Sequence, residues 1–145
     1  MPAKAEKLVS TDNRIVSIVD DDKDITVLFQ GALRSTARIR ILTFTDPILA
    51  LEHFLVNDHT YAVVICDSKM PGLNGTELLK KMKDLNEFVR TILITAYELD
   101  HDLFMQYAKM RIINGFLQKP IRLDDLCDEV NNQLLAYESD KKHPS

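Results

Sequence analysis

Little in this chain points to a membrane, an export route or a nucleic-acid surface. No apolar run approaches the roughly 18 residues of a membrane-spanning helix. The N-terminal stretch MPAKAEKLVSTDN lacks the apolar core of a secretory signal. The formal net charge is −4, so there is no general electrostatic footprint for nucleic acid or anionic lipid. The expectation is a cytoplasmic protein with no membrane insertion and no direct nucleic-acid partner. Only two cysteines occur, Cys66 and Cys127, and their separation fits no metal or redox motif. One lies in an apolar run and the other in a helical pattern, so both read as reduced core or near-core residues. No repeat, linker or shift in composition divides the 145 residues. That length suits one domain able to bury roughly 68–70% of its unfolded surface.

What the chain does contain is an alternation of short apolar runs with helical periodicity. Ile15–Val19 (IVSIV) reads as a strand ended by Asp20, Asp21 and Asp22. From Asp24 the spacing of Ile25, Leu28, Phe29, Ala32 and Leu33 marks one face of a helix. Ile39–Phe44 (IRILTF) alternates in part, as a half-exposed edge strand does. Thr45-Asp46-Pro47 opens a second helix that runs to Asn57. Tyr61–Cys66 is continuously apolar, which suits a strand covered on both faces. Thr76–Leu85, 98–110 and 122–138 follow as helices, with Thr91–Thr95 and a short run centred on Gly115–Gln118 as strands. Residues 1–13 read as a flexible N-terminal arm, 14–138 as the domain and 139–145 as a flexible tail. Five strands alternating with five helices predict an α/β fold, a parallel sheet covered on both faces and joined by right-handed crossovers.

Polar residues collect at the carboxyl ends of these strands, where ligands bind in open α/β sheets. The first strand delivers Asp20 and Asp21, the third Asp67, the fourth Thr95 and the fifth Lys119. Each has an ordinary reading by itself: an acid caps a helix, a threonine fills a strand end, a lysine is solvated. Together they place three acids, a hydroxyl and an ammonium on one rim. Clustered carboxylates repel one another unless a cation neutralises them. Oxygen ligands of this kind suit Mg²⁺, which leaves positions open for a phosphoryl oxygen. With Lys119 and Thr95 as fixed donors, the inventory is that of phosphoryl transfer. Asp67 is the natural nucleophile, because carboxylates form aspartyl phosphates.

The stretches IVSIVDDDKDI, VVICDSKMPGLNG, ILITAY and GFLQKP, in that order, resemble a receiver domain of the two-component response-regulator family. The resemblance covers residues 14–138 and implies a flavodoxin-like (βα)5 three-layer sandwich with strand order 2-1-3-4-5. It implies that Asp67 accepts a phosphoryl group from a phosphohistidine on a sensor histidine kinase or a histidine phosphotransfer protein. Asp20, Asp21, Asp67 and the backbone carbonyl of Lys69 would hold Mg²⁺, and Thr95 and Lys119 would bind the phosphoryl oxygens. Thr95 and Phe116 would form a switch that remodels the surface of helix 4, strand 5 and helix 5 toward a downstream protein. Lys69 and Tyr97 occupy the positions that modulate phosphoryl lifetime in the family, and Tyr97 is expected to shield the phosphoryl group from water. Where the family often has Gly-Ala before strand 5, this chain has Ile112 and Ile113, and Phe116 lacks the hydroxyl of the commoner tyrosine. With no output domain after residue 138, the expectation is a stand-alone regulator that docks to a partner or passes the phosphoryl group along a relay. Its only chemistry would be its own phosphorylation and dephosphorylation, so it is not expected to be an enzyme.

Three other functions share parts of this pattern. An aspartate-nucleophile phosphohydrolase of the haloacid dehalogenase type needs a second acid two residues after the nucleophile, where this chain has Lys69, and a cap domain. A flavin site needs a first loop that cradles phosphate through its N–H groups, and Asp20, Asp21 and Asp22 would repel it. An interaction module that keeps the fold without phosphorylation would be free to lose site residues, yet each expected one is present.

Overall fold

A computed structural model describes residues 14–36, 39–96 and 101–142. Five strands form one sheet: β1 (Arg14–Val19), β2 (Ile39–Phe44), β3 (Tyr61–Asp67), β4 (Arg90–Thr95) and β5 (Gly115–Gln118). Five α-helices alternate with them: α1 (Lys23–Leu33), α2 (Pro47–Asn57), α3 (Gly75–Leu85), α4 (His101–Lys109) and α5 (Leu123–Lys142). A single 3-10 turn, Asp58–Thr60, leads into β3. The strand order is β2-β1-β3-β4-β5 and every pairing is parallel, as expected.

Two hydrophobic layers hold the sheet, and β3 feeds both. Val64 and Cys66 join Ala50 and Phe54 of α2 and Leu78, Leu79 and Met82 of α3 on one face. Val63 and Ile65 join Phe29 and Leu33 of α1 and Leu126 and Val130 of α5 on the other. A strand with apolar neighbours on both faces has no reason to alternate, which accounts for its continuous apolar run. β2 is one of the two edge strands, and Arg40 and Thr43 are its exposed positions. The helix starts follow from local chemistry. Asp22, Asp46 and Asn74 are the caps of α1, α2 and α3, and each side chain accepts an N–H from the first turn. Pro47 stands at the first helical position of α2.

Two boundaries differ from the sequence reading. α4, expected over 98–110, ends at Lys109, and its expected start falls within 97–100, which lie outside the described residues. α5 does not stop at 138 but continues to Lys142. Its last turn has distant partners: Asp140 pairs with Arg90 at 3.2 Å, and the Lys141 ammonium stands 5.6 Å from the centre of the Phe88 ring. The expected tail therefore loses its first four residues to the helix, and the expected arm, 1–13, lies outside the described residues. Ile112 and Ile113 are 7% and 1% exposed, so the loop before β5 packs inward. Arg111, at φ 60°, makes the turn that feeds them into the core. Among the described residues no helix is long and apolar enough to cross a membrane.

Candidate phosphoryl-transfer site

The register of the sheet brings the strand ends level. Val19 is opposite Phe44 and Cys66, Asp67 is opposite Ile94, and Thr95 is opposite Gln118. The ladder then runs one residue further into each loop: Asp20 N–H donates to Phe44 O at 3.0 Å, Ser68 N–H to Ile94 O at 2.8 Å, and Lys119 N–H to Thr95 O at 2.7 Å. The backbones at Asp20, Ser68 and Lys119 are thus fixed by main-chain bonds, and Asp67 is the last residue of β3.

Their side chains converge. Lys119 Nζ stands 3.3 Å from Asp67 Oδ1 and 3.9 Å from Asp20 Oδ2. Asp20, Asp21 and Asp67 each offer a carboxylate oxygen, all within 4.8 Å of one another. Asp20 and Asp67 are buried, whereas Asp21 faces solvent. Burial is the main cause that pushes the Asp20 carboxyl up to about 6, and the charges of Asp67 and Asp21 add to it. The Asp22 N–H, bonded to Asp20 Oδ1 at 2.9 Å, and the Lys119 charge work the other way. Asp67 is also raised, first by burial, against the pull of the Lys119 charge and its hydrogen bond.

The same group passes a test for a divalent cation. Asp20 Oδ2 is buried and has no hydrogen-bond partner among the described residues. Three carboxylates face one ammonium, so the rim carries excess negative charge, and its donors are all hard oxygen atoms. A Mg²⁺-sized charge would satisfy Asp20 Oδ2 and offset both the burial and the mutual repulsion that raise these carboxyls.

The family model of the response regulator receiver domain matches residues 16–131. The chain belongs to this family.

The receiver is similar to sporulation initiation phosphotransferase F of Bacillus subtilis, 29% identical over 122 residues that cover 84% of this chain and 94% of that protein. It is 32% identical to response regulator SaeR of Staphylococcus epidermidis over 87% of this chain, and it spans about half, 52%, of SaeR. Among solved structures, a receiver domain protein from Clostridium thermocellum superposes with a TM-score of 0.74 at 25% identity, covering 86% of this chain and 97% of that one.

Of the residues singled out in the sequence, the receiver fold brings together Asp20, Asp21, Asp67 and Lys119. Thr95 is buried at the same rim, one position before the loop that follows β4. Lys69 is exposed in the loop after Asp67. Phe116 lies on β5 opposite Leu93, half-buried against the layer that contains α2 and α3. Tyr97 lies outside the described residues, so its expected shielding role has no geometry here.

Two local devices were not singled out. Asp22 caps α1 by accepting the Asp24 N–H at 2.9 Å while its own N–H holds Asp20, so the third acid of the run positions the first. Gly75 starts α3 directly against β3: its N–H donates to Ser68 O at 3.1 Å, and a Cβ there would run into the carbonyl oxygen of Asp67. A Pro-Gly turn with a second glycine is the visible signal, and Gly72 indeed adopts φ 92°. The close approach at Gly75 depends on where the helix lands, which no local pattern reveals.

Proposed function

We propose that this receiver accepts a phosphoryl group on Asp67 from a phosphohistidine of a sensor histidine kinase or a histidine phosphotransfer protein, in a Mg²⁺-dependent reaction. An ionised Asp67 oxygen attacks phosphorus in line with the P–N bond. That bond breaks, its electron pair goes to the donor imidazole, and an aspartyl phosphate forms. The burial that raises the Asp67 carboxyl makes the ionised oxygen a stronger nucleophile. Lys119, already 3.3 Å from Asp67 Oδ1, offers a fixed positive charge where the phosphoryl oxygens gather negative charge. Thr95 donates its hydroxyl to one of them. Asp20, Asp21, Asp67 and the Lys69 carbonyl would hold Mg²⁺, which when bound would neutralise charge on the phosphoryl oxygens.

Phosphorylation adds a dianion beside Lys119. Thr95 then moves toward it and Phe116 turns inward, which alters the face of α4, β5 and α5 for a downstream protein. Lys69 and Tyr97 flank the site and tune how long the phosphoryl group survives. The similarity over 94% of a Bacillus protein named a phosphotransferase supports onward transfer in a relay beside partner docking. The free cysteines, Cys66 buried and Cys127 partly so, suit the reducing cytoplasm.

What carries this function is the position of Lys119 between two buried carboxylates that the sheet presents from separate strands. Incubation with acetyl phosphate, followed by intact-mass measurement, is the test. The expected result is a gain of one phosphoryl group that needs Mg²⁺ and is absent in Asp67→Asn. No gain on the wild type, or an undiminished gain in Asp67→Asn, overturns it.

A further inference from the structure

The opposite ends of the strands carry a second collection of charge. Lys80 and Lys83 of α3, Arg90 at the start of β4 and Arg111 in the turn before β5 line one cavity of about 440 Å³. Phe88, Met110 and Ile112 form its apolar wall. β4 runs from Arg90 to Thr95, so the cavity lies about 16 Å along the strand from the carboxylate rim.

Three acids also line the cavity, Asp84, Glu87 and Asp140, but they do not serve its cations evenly. Asp84 is engaged by Lys80 at 3.1 Å. Asp140 is engaged by Arg90 at 3.2 Å, and Arg90 Nε donates to Gln133 Oε1 at 2.8 Å. Among the described residues, Lys83 Nζ donates to the backbone carbonyl of Glu87, at 3.5 Å. No ion pair among the described residues involves Arg111, which is exposed. Two of the four cations are therefore paired with carboxylates, while Lys83 and Arg111 line the same cavity with no ion pair among the described residues.

We propose that this cavity binds the phosphate group of a nucleotide-sized small molecule, with Lys83 and Arg111 on the anion and Phe88 and Met110 against its body. The cavity volume falls within the range of small-molecule sites, about 300–1,000 Å³. Charge-assisted contacts from an ammonium and a guanidinium are the strong form of phosphate recognition. The condition of Lys83 agrees. Burial first, then the charge of Arg90, pushes its ammonium down to about 8; Asp140 and Glu87 pull upward, and Arg111 adds a smaller downward push. Lys80 and Asp84, one turn away, neutralise each other at 3.1 Å. An anion beside Lys83 reverses the balance, so the lysine takes up a proton as the ligand arrives.

Calorimetric titration of the full chain with AMP, without Mg²⁺ and at pH 8.5, reads this directly. Buffers of different ionisation enthalpy report proton uptake, and adenosine serves as the phosphate-free control. AMP is expected to bind with net proton uptake and adenosine about tenfold or more weakly, since about 1.4 kcal/mol of charged contact is a factor of ten. Lys83→Gln is expected to weaken AMP by about tenfold and to abolish the proton uptake. Arg111→Gly, which keeps a backbone suited to φ 60°, is expected to weaken it similarly. Lys119→Met, at the other end of the sheet, is expected to leave AMP binding unchanged. No binding at millimolar AMP overturns the proposal. So does binding that survives both cavity substitutions, or binding that disappears with Lys119→Met.

Discussion

At the carboxyl ends of the strands, Asp20 and Asp67 are buried around one lysine. At the amino ends, Lys83 is half-buried beside Arg90 and Arg111, while Asp84 and Asp140 are paired with Lys80 and Arg90. Both poles hold a charge that the fold disfavours, and the signs are opposite. Burial raises Asp20 to about 6 and lowers Lys83 to about 8. For Asp20 the folded value lies above the ordinary 3.8, so the folded state binds the extra proton between the two and stability rises as pH falls through 6. For Lys83 the folded value lies below 10.5, so the unfolded state binds the extra proton and stability rises as pH climbs through 8. Each pole is strained at neutral pH and relieved by a counter-ion. The acid rim calls for a cation and the basic cavity for an anion.

The poles also differ in how tightly the backbone is built around them, and the largest expected effect lies there. Gly75→Ala forces a Cβ into the Asp67 carbonyl and should cost about 3 kcal/mol, read as a lower urea midpoint. Gly31→Ala, where a Cβ meets nothing within 4 Å, should not lower the midpoint. Next comes the ammonium of the acid rim. Lys119→Met should slow Asp67 phosphorylation by acetyl phosphate roughly 10²-fold, the scale of losing one fixed charge at a reacting centre. Asp20→Asn keeps the oxygen that accepts the Asp22 N–H and removes the disfavoured charge. Without Mg²⁺ at pH 7.5 it should stabilise the fold by about 2 kcal/mol and flatten the rise in stability below pH 6. The same change should remove most of the stabilisation that Mg²⁺ gives the wild type. The smallest effect belongs to the basic pole. Lys83→Met should add about 1 kcal/mol at pH 7 and abolish the gain in stability above pH 8, seen in urea midpoints across pH. Equal pH slopes in Asp20→Asn and Lys83→Met would mean that the two poles do not act with opposite sign.

The acid pole was open to reading from the chain and the basic pole was not. Asp20, Asp67, Thr95 and Lys119 each end or follow an apolar run, and parallel strands carry such positions to one edge whatever the helices do. The double-faced burial of β3 was legible for a similar reason, from Tyr61–Cys66 itself. The basic pole depends on contacts across the chain: Arg90 meets Gln133 and Asp140 of α5, and Thr91 N–H donates to Asn114 Oδ1 at 2.9 Å. No periodicity carries such pairings. The same blindness explains why SDKK read as a loose tail although Asp140 and Lys141 have partners on and beside β4. Gly75 is equally silent in the chain, because the room it leaves for the Asp67 carbonyl depends on where α3 lands.

The strand order has a consequence for how the molecule is made. β1 lies between β2 and β3, so the ladders of β1 need only the first three strands, while the other edge of β3 takes β4. Asp20 and Asp67 stand on that first-made part of the sheet. Lys119 follows the last strand, and it reaches them only when β5 docks on β4. A chain that ends before β5 carries Asp20 and Asp67 without the Lys119 ammonium, so the two halves of the rim are separable by truncation.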